Sequence, residues 1–159
     1  MIFVTLGSQK FQFNRLLKKI DELIADGLIQ EEVFVQTGYS DYEPLHFTFK
    51  EFLGREEFVA MMDKCDTVIT HGGTGAIISA VKKAKKVIAV ARLAKYGEHV
   101  DDHQKQILKQ FDGMGIITAC YDTENLTIHY KNLQQTEFSK YQSNTKIIID
   151  SIDKFLVDG

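Results

Sequence analysis

His71-Gly72-Gly73-Thr74-Gly75 sets three glycines within four positions, directly after the apolar run Thr67-Val68-Ile69-Thr70. Without Cβ atoms, such a turn lets a ligand approach the backbone closely and tolerates positive φ. If a helix follows, its unpaired N–H groups and dipole favour a phosphate or diphosphate, with the Thr74 hydroxyl as a further donor. No Gly-Lys-Ser/Thr follows, and the spacing is not Gly-x-Gly-x-x-Gly. The plain alternative is a tight strand-to-helix turn without a ligand.

Residues 97–104 concentrate two histidines, three carboxylates and a glutamine: Gly97-Glu98-His99-Val100-Asp101-Asp102-His103-Gln104. His99 and His103, four residues apart, can share one helical face, which invites a metal reading. The mixture of donors and acceptors equally suits sugar hydroxyls or phosphates. Asp101 or Asp102 can also simply cap a helix. Gly7-Ser8-Gln9-Lys10, after the first apolar run, is a weaker candidate for a phosphate loop.

Strands and helices in alternation must position these loops. The apolar runs predict strands over 2–6, 33–37, 47–52, 67–70, 87–91 and 115–119. Helical periodicity appears over 13–24, with Gly27 as its stop and Lys18, Lys19, Asp21 and Glu22 on the polar face. Further helices are predicted over 55–64, 76–83 and 102–110. A last amphipathic helix, at about 139–157, carries Ile148, Ile152, Phe155 and Leu156. Residues 92–100 read as a polar loop, and 125–140 have weak periodicity. Uninterrupted apolar strands alternating with helices predict an α/β domain, a mostly parallel sheet with helices on both faces. Ligands of such sheets sit at the carboxyl ends of the strands, where all these loops fall.

Composition narrows the classes. The chain has 159 residues, 44% of them hydrophobic and 26% charged, with 19 Lys+Arg against 22 Asp+Glu. One domain with a full core fits this length. The slight acidity argues against non-specific nucleic-acid binding. No apolar run reaches membrane-spanning length, and no secretory leader is recognised. Cys65 and Cys120 fit reduced thiols better than a disulfide framework. Cys65 is expected to be buried and inert, and Phe11 and Phe13 to belong to the core. The basic run Lys82, Lys83, Lys85 and Lys86 reads as a solvated face, or as a surface for anionic lipid or an acidic partner.

The stretches Val68-Ile69-Thr70-His71-Gly72-Gly73-Thr74-Gly75, Val87-Ile88-Ala89-Val90-Ala91-Arg92 and Tyr96-Gly97-Glu98-His99-Val100-Asp101-Asp102-His103-Gln104 resemble the carboxyl-terminal half of family 28 glycosyltransferases. Phe3-Val4-Thr5-Leu6-Gly7-Ser8-Gln9-Lys10-Phe11 and Val35-Gln36-Thr37-Gly38-Tyr39-Ser40 are similar to the small bacterial Alg13-like subunits of capsular and exopolysaccharide glycosyltransferases. The similarity runs through about residue 118.

The resemblance implies a single Rossmann-like domain over 1–159, one half of a GT-B fold split over two chains. It implies a UDP-sugar donor and an Alg14-like, membrane-associated subunit that binds the acceptor. The transfer would add a hexose to a lipid-linked oligosaccharide in cell-surface polysaccharide synthesis. The protein would be cytoplasmic and recruited to the membrane through that partner, with no metal and no cofactor. Residues 71–75 would hold the diphosphate, and the backbone at Phe52 and Leu53 would read the uracil edge. Glu98, His99, His103 and Gln104 would face the donor sugar or its phosphates, with Gly7, Ser8 and Gln9 lining the opposite wall. His71 and Glu98 are the candidate bases, unless the partner supplies one. Ser79 stands where the family usually has a ribose-binding Glu, Ala84 where it has Gly, and Ala91 where it has Pro. A non-catalytic enhancer of the membrane-bound half is the alternative, and a flavodoxin-like or nucleotide-sensing domain a third.

Overall fold

Ile2-Phe3-Val4-Thr5 is apolar or β-branched at every position, so such a strand needs cover on both faces. In the computed structural model, which describes residues 1–139, it is β1 (Ile2–Thr5) of a six-stranded sheet. The other strands are β2 (Val33–Gln36), β3 (Thr48–Lys50), β4 (Thr67–His71), β5 (Lys86–Val90) and β6 (Thr118–Cys120). Their order is β3-β2-β1-β4-β5-β6, and every pairing is parallel. The main helices are α1 (Asn14–Ala25), α2 (Arg55–Lys64), α3 (Thr74–Lys82), α4 (His103–Gly113) and α5 (Leu126–Asn132).

Alternate strand residues serve opposite layers. Phe3, Val68, Val87, Ala89 and Ala119 pack with Met62 of α2, Ile77 and Ala80 of α3, and Leu108 and Phe111 of α4. Ile2, Val4, Ile69, Ile88, Val90 and Cys120 pack with Leu16, Leu17 and Ile20 of α1 and Leu126 of α5. Each fully buried Val, Leu, Ile, Phe or Met side chain among these contributes about 1.5–3 kcal/mol. The α/β class, the parallel sheet and the two helical layers predicted from the sequence are all present.

The chain runs outward from β1 to β2 and β3, returns to place β4 on the other side of β1, and continues to β5 and β6. The loops leaving β1 and β4 therefore diverge to opposite faces, which opens a crevice at their carboxyl ends. Two threonines tie the strands there: the Thr70 hydroxyl donates to the Thr5 carbonyl (2.8 Å), and the Thr5 hydroxyl to Gln36 Oε1 (2.7 Å).

Several expectations need correction. β4 takes in His71, and α3 starts at Thr74, inside the glycine turn rather than after it. The expected strand over 115–119 pairs only from Thr118, because Gly115 (φ +73°) is still turning the chain out of α4. β3 keeps only Thr48–Lys50 of the expected 47–52, as an exposed edge. The weakly periodic stretch after residue 125 contains α5, whose contribution to the core rests on Leu126 and, just beyond it, Leu133. Asp21, expected on the polar face of α1, is buried: its carboxylate accepts the Tyr42 hydroxyl (2.8 Å) and the Leu45 and His46 amides (2.9 and 3.0 Å). The predicted helix at about 139–157 lies outside the described residues. The basic run is partly engaged, since Lys83 pairs with Asp63 and Lys86 donates to the Leu133 carbonyl.

Candidate functional site

His71 ends β4 with its ring at the floor of the crevice. The imidazole is wedged between two glycines: a Cβ on Gly7 would lie 2.6 Å from Nε2, and one on Gly73 only 2.2 Å from Cε1. Gly7 also has φ +70°, so β1 can turn there only with glycine or at a strain cost. Gly38 closes the same corner, because its Cβ would meet the Gly7 carbonyl at 2.8 Å. Burial, first, and then the charges of Arg92 and His99 push the His71 pKa down to about 3. The ring is neutral at physiological pH, and Nδ1 has no hydrogen-bond partner among the described residues. Such a group is a poor general base near neutrality.

Gly73 precedes α3 in extended conformation and, lacking a side chain, caps nothing. The first-turn amides of the helix thus start at the crevice, together with the half-buried Thr74 and the exposed Gly75. A Cβ on Gly75 would meet nothing within 4 Å, so this position opens toward free space. An uncapped helix start at the switch point of a parallel sheet is suited to an anion.

Arg92 was missing from the expected site, and residues 92–100 are not simply a polar loop. Its side chain is 1% exposed, with the guanidinium among main-chain oxygens. It donates to the carbonyls of Leu6 (2.7 Å), Phe11 (2.9 Å), Gln12 (3.3 Å) and Glu98 (3.3 Å). It also lies over the Phe13 ring, 5.2 Å from the centroid. Burial lowers its pKa to about 10, against the favourable charge of Glu98, so it remains a cation at neutral pH. The sequence signal was a lone arginine between Ala91 and Leu93 at the end of an apolar run.

Glu98 is turned inward. Both carboxylate oxygens hold Arg15 (2.9 and 3.0 Å), and one also accepts the Leu93 amide (3.0 Å). Its side chain is 1% exposed, so this candidate base and donor contact is held in an ion pair with Arg15. Gln104 is buried as well: its Oε1 accepts the amides of Gly72 (3.2 Å) and Arg92 (3.0 Å).

The remaining candidates line the rim. Ser8 and Gln9 are exposed on the loop after β1. The His99 ring lies tilted against Phe11, with centroids 5.4 Å apart, and Asp101 is 3.3 Å away. His103 is exposed at the start of α4, where the Asp101 carboxylate accepts its amide (2.9 Å) and the Asp102 carboxylate that of Ala94 (2.9 Å). Asp101 thus holds the first amide of α4, whereas Asp102, at the N-cap position, makes no side-chain bond to its own helix and ties the loop after β5 instead. Among the described residues no group of three or more His, Cys, Asp or Glu side chains gathers as metal ligands. Phe52 is exposed edge-on to Tyr39, with ring centroids 5.3 Å apart, while Leu53 packs on the core. Gly38 links this pair to the crevice, since its amide donates to the Glu51 carbonyl (2.8 Å). Among the described residues no helix is long and apolar enough to cross a membrane.

Known proteins resemble this chain in sequence and in fold. The chain is 40% identical over 58 residues to the UDP-N-acetylglucosamine transferase subunit ALG13 of Candida glabrata, which covers 36% of this chain and 27% of that protein. It is 33% identical over 75 residues to the subunit of the same name from Saccharomyces cerevisiae, covering 47% and 35%. The matched stretches thus span about a third or less of these relatives. Among solved structures, an NMR structure of ALG13 superposes with a TM-score of 0.58 at 22% identity, covering 87% of each chain. The glycosyltransferase of kitacinnamycin gives a TM-score of 0.63 at 15% identity, over 96% of this chain but 38% of that one. At these identities the two structures speak for the fold alone. The model of the glycosyltransferase family 28 C-terminal domain matches residues 1–155, and the chain belongs to that family.

Proposed function

We propose that this chain is the donor-binding subunit of a two-chain glycosyltransferase, with a UDP-sugar diphosphate on the first turn of α3. The observation that carries this is the uncapped helix start beside Gly73 and Gly75, over a neutral imidazole, at the switch point between β1 and β4. Leaving-group charge that develops on the diphosphate would be stabilised by amides already in place. The uridine would lie toward Phe52 and Leu53, and the sugar toward His99 and His103, with Ser8 and Gln9 across the cleft. No metal and no cofactor enters this scheme.

The division into two chains is supported by the relatives matched in sequence, each of which is named as a transferase subunit. The partner is an Alg14-like, membrane-associated subunit that binds a lipid-linked acceptor, and it brings this chain to the cytoplasmic membrane face. That partner would also supply the base, because Glu98 is locked to Arg15 and His71 is too weakly basic. The pathway is cell-surface polysaccharide synthesis, with a hexose transferred.

The inward Glu98 favours one second reading, a non-catalytic enhancer that stabilises the membrane-bound half. Titration calorimetry with UDP separates the two. A donor subunit binds UDP, loses it in Gly73→Val, and transfers sugar only when its partner is added. An enhancer gives no heat at millimolar UDP. Sugar transfer by the purified chain alone overturns the two-chain scheme.

A further inference from the structure

We propose that Gln104 is a positioning residue, whose carboxamide oxygen locks the glycine turn to the loop after β5. The proposal rests on the reading of the crevice as a nucleoside-diphosphate site. Two backbone amides from different loops, Gly72 (3.2 Å) and Arg92 (3.0 Å), donate to this one oxygen. Two donors define the side chain's orientation, because the NH2 group could not accept them. The fit is close: a Cβ on Gly72 would lie 2.8 Å from Gln104 Cβ and 2.9 Å from its Oε1. Gly72 is therefore glycine because of Gln104, which is 4% exposed.

The clasp continues beyond these two amides. Arg92, whose amide Gln104 holds, reaches with its guanidinium to the carbonyls of Leu6, Phe11 and Gln12 after β1. The loops after β1, β4 and β5 are thereby joined through two side chains. A loose glycine turn would present the α3 amides in many geometries, and a fixed one avoids the ordering cost when an anion binds.

The role needs an acceptor oxygen and makes no use of the carboxamide nitrogen, which a sugar contact would use. Gln104→Glu keeps an acceptor in place, whereas Gln104→Met keeps only the shape. The full chain is titrated with UDP and with UDP-N-acetylglucosamine, and amide exchange is followed at Gly72 and Arg92. Gln104→Met is expected to weaken both ligands equally, by about tenfold or more, and to speed exchange at both amides by a similar factor. Gln104→Glu restores protection at both amides to within about threefold of the parent, while its added charge beside the anion site weakens UDP and the UDP-sugar alike. If Gln104→Met does not fold, Gln104→Asn, one methylene short of the amides, takes its place. Parental exchange rates in Gln104→Met or Gln104→Asn overturn the clasp. So does a Gln104→Glu protein that keeps UDP but loses the UDP-sugar, since that pattern means a direct sugar contact. If the parent binds neither ligand, the donor-site reading fails, and the exchange rates alone decide the clasp.

Discussion

The His71 ring occupies the space that a side chain on Gly73 would need, with Cε1 2.2 Å from the position of a Cβ there. The backbone of Gly73 is ordinary (φ −77°, ψ 129°), so an L-residue fits its conformation and only the contact forbids it. Gly73→Ala should therefore cost about 1–3 kcal/mol through overpacking. In a His71→Ala background the same substitution should cost close to nothing. Urea unfolding of the four proteins measures this coupling. An equal cost in both backgrounds would show that the ring is not what requires the glycine.

The same burial predicts an acid-sensitive fold. The His71 pKa falls from 6.5 to about 3 in the folded state, so between these values the unfolded chain binds a proton that the folded chain does not. Stability then rises with pH across the window, and is lost as pH drops below about 6.5. From pH 7 to pH 5 this one group accounts for about 2 kcal/mol of lost stability. His71→Asn should remove most of that pH dependence, measured as the difference in unfolding free energy between the two pH values. A variant that keeps the parental slope would assign the acid sensitivity elsewhere.

Much of this architecture was legible in the residues themselves. Strands apolar at every position implied a sheet covered on both faces, and the glycine turn marked the loop of interest. What escaped was the direction in which polar side chains point. Asp21 sits at a helical position flanked by charges, and nothing local says that the Tyr42 hydroxyl and two amides await it. Glu98 and Gln104 stand in a polar stretch, where burial depends on partners 83 and 32 residues away in sequence. Such pairings are products of topology. Periodicity can report that a face is apolar, but not which charge a distant loop brings to it.

The ion pair of Arg15 with Glu98 should behave asymmetrically. The Glu98 side chain is 1% exposed, whereas that of Arg15 is 19% exposed and has a route to water. Arg15→Met leaves a carboxylate buried with a lost partner, which costs about 3–5 kcal/mol. Glu98→Gln retains an acceptor for the Leu93 amide and leaves a cation that can reach solvent. Its cost should be smaller, about 1–2 kcal/mol after allowing for that exposure. Thermal and urea unfolding give the order. A larger loss for Glu98→Gln would mean that Arg15, not Glu98, is the group that depends on the pair.

Ala84 is the one non-glycine residue with positive φ (57°) among the described residues, and its place explains why. At the end of α3 its amide donates to the Val81 carbonyl (3.0 Å), and that of Lys85 to the Ala80 carbonyl (3.1 Å). The end of α1 repeats this pattern: the Gly27 amide donates to Ile24 (3.0 Å) and that of Leu28 to Leu23 (3.0 Å). Both are left-handed helix stops, but one uses glycine (φ +78°) and the other alanine. The left-handed conformation costs alanine about 1–2 kcal/mol, and glycine gives back about 0.4–1 through its freer unfolded chain. Ala84→Gly should therefore stabilise the fold by about 0.5–1 kcal/mol, raising Tm by about 1–4 °C. A Cβ on Gly27 would meet nothing within 4 Å, so Gly27→Ala tests the conformational cost alone and should lower Tm by a similar amount. The double variant, with the two residues exchanged, should unfold close to the parent. A destabilised Ala84→Gly would mean that the Ala84 methyl group makes contacts worth more than its strain.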